Sequence, residues 1–270
     1  MTAFLFTKRY WKQFVKKTDS WIVILFLILY FSMFLVNSGN YTRAEGGEVS
    51  IFAFLPIFSM NIDFPLMTLA GFLMLISDIP VMNQGVQFEM IRTNRHSWFA
   101  GQVLYGLCVS VTYTLAIALL PCLFFLGTLS LQKGWGESVL DGTAFMADYV
   151  MVGYDAVLDQ SAIGAWIKIF ILFVGLEMLF VMICCVSNLL GGKGMGVAIC
   201  SVFVLMERVL KMFELDLGFA SPVVMLNRFY KDDGSNMIPA VCYFVLFVLA
   251  LVIVGWRIMY YVDINVESRK

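Results

Sequence analysis

Histidine is almost missing from this 270-residue chain, which has one, His96. A His-Glu-x-x-His zinc site is thereby excluded, and no Gly-x-Ser-x-Gly elbow takes its place, so a metalloprotease or serine hydrolase has no residues to work with. Charge is scarce too. Charged residues make up 14% of the chain and the formal net charge is -1, which leaves no basic field for nucleic acid. The six cysteines (Cys108, Cys122, Cys184, Cys185, Cys200 and Cys242) lie in apolar runs without a Cys-x-x-Cys pair. They read as buried free thiols, with no metal site expected. Gly191-Gly192-Lys193-Gly194 lacks both the spacing and the preceding strand of a Walker A loop, so no nucleotide cradle is expected on this chain.

What is abundant is apolar sequence. Hydrophobic residues make up 61% of the chain, mean hydropathy is +0.86, and several runs approach the ~20 apolar residues that cross a hydrocarbon core. The expected fold is all-α: one polytopic membrane domain over residues 1–270 with six transmembrane helices. These run from Trp21 to about Val36, within Ile51 to Ile76, from Trp98 to about Leu126, Ala165 to Leu190, Met195 to Lys211, and Met237 to about Tyr260. Asn61, Asp63 and Pro65 should break the second stretch into a re-entrant or kinked first part and a descending span. Pro121 should kink the third.

The polar segments set the orientation. Residues 1–20 read as an amphipathic cytosolic helix, with Thr7, Tyr10, Trp11, Phe14 and Val15 on one face and Lys8, Arg9, Lys12, Lys16 and Lys17 on the other, suited to an anionic inner leaflet. Five cations before the first span place the N-terminus inside by the positive-inside rule, and six spans return the C-terminus to the same side. Asn37 to Ser50 is then an outer loop, whose Asn40-Tyr41-Thr42 matches a glycosylation sequon that matters only in a eukaryotic secretory pathway and that chance explains easily. Residues 131–162 form the long external loop, carrying Glu137, Asp141, Asp148, Asp155 and Asp159 against Lys133 alone. A solvated outer face or a docking surface for a cationic substrate would both fit it. Residues 78–98 form a cytosolic helical elbow. Phe88, Met90 and Ile91 give it an apolar edge and Glu89, Arg92, Arg95 and His96 a charged one.

Order and spacing over nearly the whole chain resemble the permease subunits of type-2 ATP-binding-cassette exporters, of the small six-span kind found in Gram-positive bacteria. The resemblance is carried by the basic amphipathic N-terminus, by Ile91-Arg92-Thr93-Asn94-Arg95 and Trp98-Phe99-Ala100-Gly101-Gln102 at the elbow, by Trp135-Gly136 in the outer loop, and by Ser221-Pro222-Val223. It implies that about Gln84 to Ser97 is a coupling helix seated on a separate cytosolic ATPase subunit. Glu89, Arg92 and Arg95 would make the contact and Trp98 would anchor it at the interface; positive-inside topology alone also accounts for the two arginines. The resemblance further implies a second permease copy or homologous permease as partner, and ATP and magnesium used by the ATPase and not by this chain. It also implies bacterial plasma-membrane localisation and export or extraction of an amphipathic peptide, lipid or drug.

Glu177 is a carboxylate near the middle of the fourth span, where insertion costs roughly 3 kcal/mol. Cys184, Cys185 and Asn188 follow it on broadly the same helical face. Three roles are open: Glu177 and Asn188 lining a translocation path or permease dimer interface, a structural pairing with Arg208, or proton coupling in a secondary transporter. An internal repeat that would favour the last is not evident.

Overall fold

The computed structural model describes residues 3–60, 63–82, 94–140, 160–212, 222 and 237–261. They are mostly helical. In chain order they form α1 (Ala3–Lys16), α2 (Thr18–Glu45), strand β1 (Val49–Ser50), α3 (Phe54–Met60), α4 (Asp63–Ile76), α5 (Arg95–Leu119) and a 3-10 turn (Leu120–Phe125). Strand β2 (Leu129–Ser130), α6 (Glu137–Leu140), α7 (Ala162–Gly191), α8 (Met195–Met212) and α9 (Ile238–Tyr261) follow. Four segments are long and apolar enough to cross a membrane: Thr18–Glu45, Arg95–Phe125, Ala162–Gly191 and Ile238–Tyr261. Phe64–Ile76 and Met195–Met206 are apolar but shorter.

α7 is the axis of the bundle. It packs against α3, α4, α5, α8 and α9, and its side chains are buried nearly all round, as expected of a helix that is apolar on every face. α2, α8 and α9 stand at the periphery. Leu25, Leu29 and Met33 on α2, Val202 and Leu205 on α8, and Leu246, Leu249 and Ile253 on α9 all point outward. Exposed apolar side chains on separate helices are what a surface solvated by hydrocarbon requires.

Capping explains most of the helix boundaries. The Asn94 side chain accepts the His96 amide at 3.1 Å to open α5, and Ser161 accepts that of Gly164 at 3.2 Å to open α7. Pro121 supplies no amide to continue α5, and the backbone tightens into the 3-10 turn. α2 ends at Gly46, whose φ of 70° places it in the left-handed conformation while its amide caps the carbonyls of Thr42 and Arg43.

That ending corrects the expected outer loop at Asn37 to Ser50. α2 continues through Glu45 because its buried stripe, Val23, Leu27, Phe31, Leu35, Ser38 and Thr42, keeps helical spacing into the polar residues. Thr42 is consequently buried, and the sequon lies within a helix. The broken second stretch is present as α3 and α4. Between α2 and α7, β1 and β2 pair in parallel, Ser50 Oγ donates to the Gln132 carbonyl at 2.8 Å, and the Trp135 indole donates to the Gln160 carbonyl at 2.8 Å. Gly136, at φ 92°, lets the Glu48–Ser50 backbone approach where a Cβ would collide. Asp141, Asp148 and Asp155 lie outside the described residues.

Candidate functional site

A polar cluster gathers at one end of the bundle, where α1 meets α2, α4 ends, α5 begins, α7 turns into α8 and α9 ends. Lys8, Arg9, Lys12, Lys16, Lys17, Arg95, Lys193 and Arg257 belong to these elements, so it is the basic end. Glu89 and Arg92, with the rest of the elbow from residue 83 to 93, lie outside the described residues. The two roots of that segment are described in detail.

The first root follows α4. Asp78 receives Lys17 Nζ at 2.6 Å and Lys193 Nζ at 2.9 Å, and Lys17 also reaches Asp19 at 2.7 Å. One carboxylate thus ties the α1–α2 joint to the α7–α8 turn. Burial pushes the Asp78 carboxyl up, but the two ammonium groups outweigh burial and hold it below the ordinary carboxylate value. Next to it, the Ile79 carbonyl accepts from Asn188 Nδ2 at 2.7 Å, while Asn188 Oδ1 accepts the Gly196 amide at 2.9 Å. The Val81 amide donates to Gln102 Oε1 at 3.1 Å.

Asn188 is therefore a clasp joining α7, α8 and the root of the elbow. Helical spacing puts it on broadly the same face as Glu177. Eleven residues of helix separate them by roughly 16 Å along the axis, and each has its own partners.

The second root opens α5. Arg95 donates to the Met259 carbonyl at 3.4 Å, near the end of α9, where a cation also suits the helix dipole. His96 stacks on Trp256 with ring centroids 4.4 Å apart and tilts against Tyr260 at 4.6 Å. Trp98 is fully enclosed, and its indole N–H donates to the Tyr10 hydroxyl at 3.0 Å. Its indole thus anchors α5 to α1 and presents no exposed surface. α1 itself is not simply a surface helix: Phe6, Thr7 and Tyr10 bury against α5, with Thr7 Oγ1 donating to the Gly101 carbonyl at 3.2 Å, while Phe4, Leu5 and Val15 remain exposed. Gly101 permits the close approach, since a Cβ there would press on Phe6.

Glu177 lies in the middle of α7, with no exposed surface. Its Oε2 accepts from Thr114 Oγ1 on α5 at 2.9 Å, and its Oε1 has no hydrogen-bond partner among the described residues. Ser110, one turn before Thr114, is likewise buried with its hydroxyl unpartnered among them, and Tyr113 donates to the Thr68 carbonyl of α4 at 2.6 Å. A polar core thus joins α4, α5 and α7 inside an otherwise apolar bundle. The side chain of Arg208, the ion-pair partner considered above, lies outside the described residues.

Cys184 and Cys200 approach to 3.8 Å between α7 and α8 as free thiols. No group of three or more metal-ligating side chains occurs among the described residues. No protein-family model, curated protein or solved structure matches the chain.

Proposed function

We propose that this chain is the membrane-spanning permease subunit of an ATP-driven exporter of the type-2 ATP-binding-cassette kind. It crosses the bilayer six times, with α4 and α8 as the two shorter crossings, and the basic end with both termini faces the bacterial cytosol. A second permease copy or homologous permease completes the pathway. A separate cytosolic ATPase, which uses ATP and magnesium, docks on the 78–98 elbow and contacts Glu89, Arg92 and Arg95. The cargo is an amphipathic peptide, lipid or drug. The chain is itself non-catalytic.

The observation that carries this reading is the mounting of the elbow. A lever transmits movement only if both its ends are fixed to the parts that must move. Here one root is held to α2, α5, α7 and α8 through Lys17, Gln102, Asn188 and Lys193, and the other to α1 and α9 through Trp98 and Arg95. Displacement of the segment between them would be delivered to nearly every helix of the bundle. The test is affinity purification of the tagged protein from its native membrane in mild detergent. A soluble ATPase recovered in stoichiometric amount is expected; a chain that purifies alone overturns the reading.

Glu177 favours a second reading, a proton- or ion-coupled secondary transporter. A carboxyl with one oxygen hydrogen-bonded and the other unpartnered among the described residues has the form of a group that can take up a proton within the membrane.

A further inference from the structure

Arg9, Lys12 and Lys16, at the cleft between α1, the end of α4 and the first turns of α5, have no task in the transport reading. The cleft encloses about 460 Å³. Arg9, Lys12, Lys16 and Lys17 line one side, and Leu75, Ile79 and Tyr105 are among the residues that close the other. Arg9, Lys12 and Lys16 fall on one flank of α1 because they recur at three- and four-residue spacing, the same periodicity that turns Phe6 and Tyr10 into α5.

A row of lysines on a helix is ordinarily a solvated face. Two features separate this one from that case. Among the described residues the only carboxylate in the lining is Asp78, and Lys17 and Lys193 already neutralise it at 2.6 Å and 2.9 Å. Lys12 and Lys16 make no ion pair among the described residues, so the cleft keeps an uncompensated positive field. Its inner wall, moreover, is apolar. Tyr105 and Leu75 are buried beneath the cations, and Phe14 and Val81 in the same lining are only half-buried, so apolar surface is open to the cleft.

A cationic rim over an apolar wall fits an amphiphile with an anionic head. We propose that the cleft binds the phosphate of an anionic phospholipid of the adjoining leaflet, with Lys12 and Lys16 on the phosphate and an acyl chain against Phe14, Val81 and Tyr105. A bound lipid would brace α1 against the root of the elbow, since Lys17 and Asp78 form the floor of the same cleft. The site does not depend on whether the chain transports anything. An acidic surface of a soluble partner would engage the cations but leave the apolar wall unused.

The full chain, purified in mild detergent and delipidated, is titrated with phosphatidylglycerol or phosphatidylcholine, and bound lipid is counted by native mass spectrometry. Phosphatidylglycerol should bind on the order of tenfold more tightly than phosphatidylcholine, from two lysines acting at close range on one anionic head. Lys12→Gln with Lys16→Gln should bring the two lipids to within about twofold, while Lys133→Gln at the opposite end leaves the preference intact. Both lysines are exposed, so the fold does not depend on them, and Lys12→Arg with Lys16→Arg should keep the preference. Equal binding of the two lipids by the wild type, or an undiminished preference in the doubly neutralised protein, overturns the proposal. So does displacement of phosphatidylglycerol by inorganic phosphate at equal concentration, which would assign the cleft to a free anion.

Discussion

Trp98 donates its indole N–H to the hydroxyl of Tyr10 at 3.0 Å inside a closed contact where both rings are buried. Two residues separated by almost ninety positions thereby fasten α1 to the opening turn of α5. Tyr10→Phe keeps the ring and removes the acceptor, leaving a buried donor unsatisfied at a cost of about 1–3 kcal/mol. The thermal midpoint in detergent should fall accordingly. Adding Trp98→Phe should cost less than the sum of the two single changes, because the donor is then gone as well. A Tyr10→Phe protein with the wild-type midpoint would show that the bond contributes nothing.

The Asp78 network predicts how stability changes at both pH extremes. Asp78 is held below its ordinary value in the folded chain, because its two lysines outweigh burial. Its contribution is therefore complete above the unfolded carboxylate value and is lost as pH falls through the depressed folded one. For Lys17, burial lowers the ammonium value, but Asp19 and Asp78 overcome this and raise it above that of a free lysine. That contribution is complete below the unfolded lysine value and disappears as pH rises through the raised one. Thermal midpoints measured against pH should bend downward on both sides, and Asp78→Asn should flatten the acid limb. An unchanged acid limb in Asp78→Asn would remove Asp78 from the stability of this end.

Much of the helical frame is legible in the sequence because an apolar run of membrane-crossing length has few other places to go. α5, α7, α8 and α9 lie within a few residues of where hydropathy puts them. The end of α2 departs from the expected loop for a physical reason: polar residues ordinarily mark a loop, whereas the stripe through Leu35, Ser38 and Thr42 carries the helix on until Gly46 supplies a left-handed cap. Asn188 shows a different limit. Helical spacing reports which face a side chain occupies but not what lies across from it, and the Ile79 carbonyl is 109 residues away in the chain. The same holds for Lys17 and Asp78, whose pairing depends on how four helix ends are arranged in space.

Asn188→Leu should be among the more damaging single changes at the basic end. It leaves the Ile79 carbonyl and the Gly196 amide without the partners that hold them now, at roughly 1–3 kcal/mol for each buried group left unpaired. Asn188→Asp keeps an acceptor for Gly196 but sets a second acceptor against the Ile79 carbonyl in place of the donor, so it too should fall below wild type. Thermal midpoints of the three proteins give the order. Equal midpoints for Leu and wild type would mean that the clasp does not hold the root of the elbow.

Arg92→Glu with Arg95→Glu tests the coupling assignment. The doubly reversed protein should insert in the membrane and fail to co-purify with the ATPase subunit. Arg95 also reaches the Met259 carbonyl, and a glutamate there would set a negative charge against the negative end of α9. Arg95→Glu should therefore lower the thermal midpoint as well, whereas Arg92→Glu alone should affect association only. Normal association and hydrolysis in the doubly reversed protein would show that these arginines do not carry the contact.

Glu177 distinguishes the two functional readings most sharply. Glu177→Gln keeps the size of the side chain and an acceptor for Thr114 but cannot exchange a proton. In an ATP-driven permease, hydrolysis supplies the energy, and this variant should fold and transport like the wild type. In a proton-coupled carrier the same change should abolish substrate accumulation while leaving the protein folded. Glu177→Leu removes the acceptor and strands the Thr114 hydroxyl, which should lower stability by about 1–3 kcal/mol under either reading. The informative comparison is therefore Gln with wild type at equal stability. Transport in reconstituted vesicles, driven by ATP in one set and by an imposed pH gradient in the other, provides it. Undiminished ATP-driven transport by Glu177→Gln assigns the carboxyl to the polar core with Thr114, while loss of gradient-driven transport makes it the coupling group and removes the need for an ATPase.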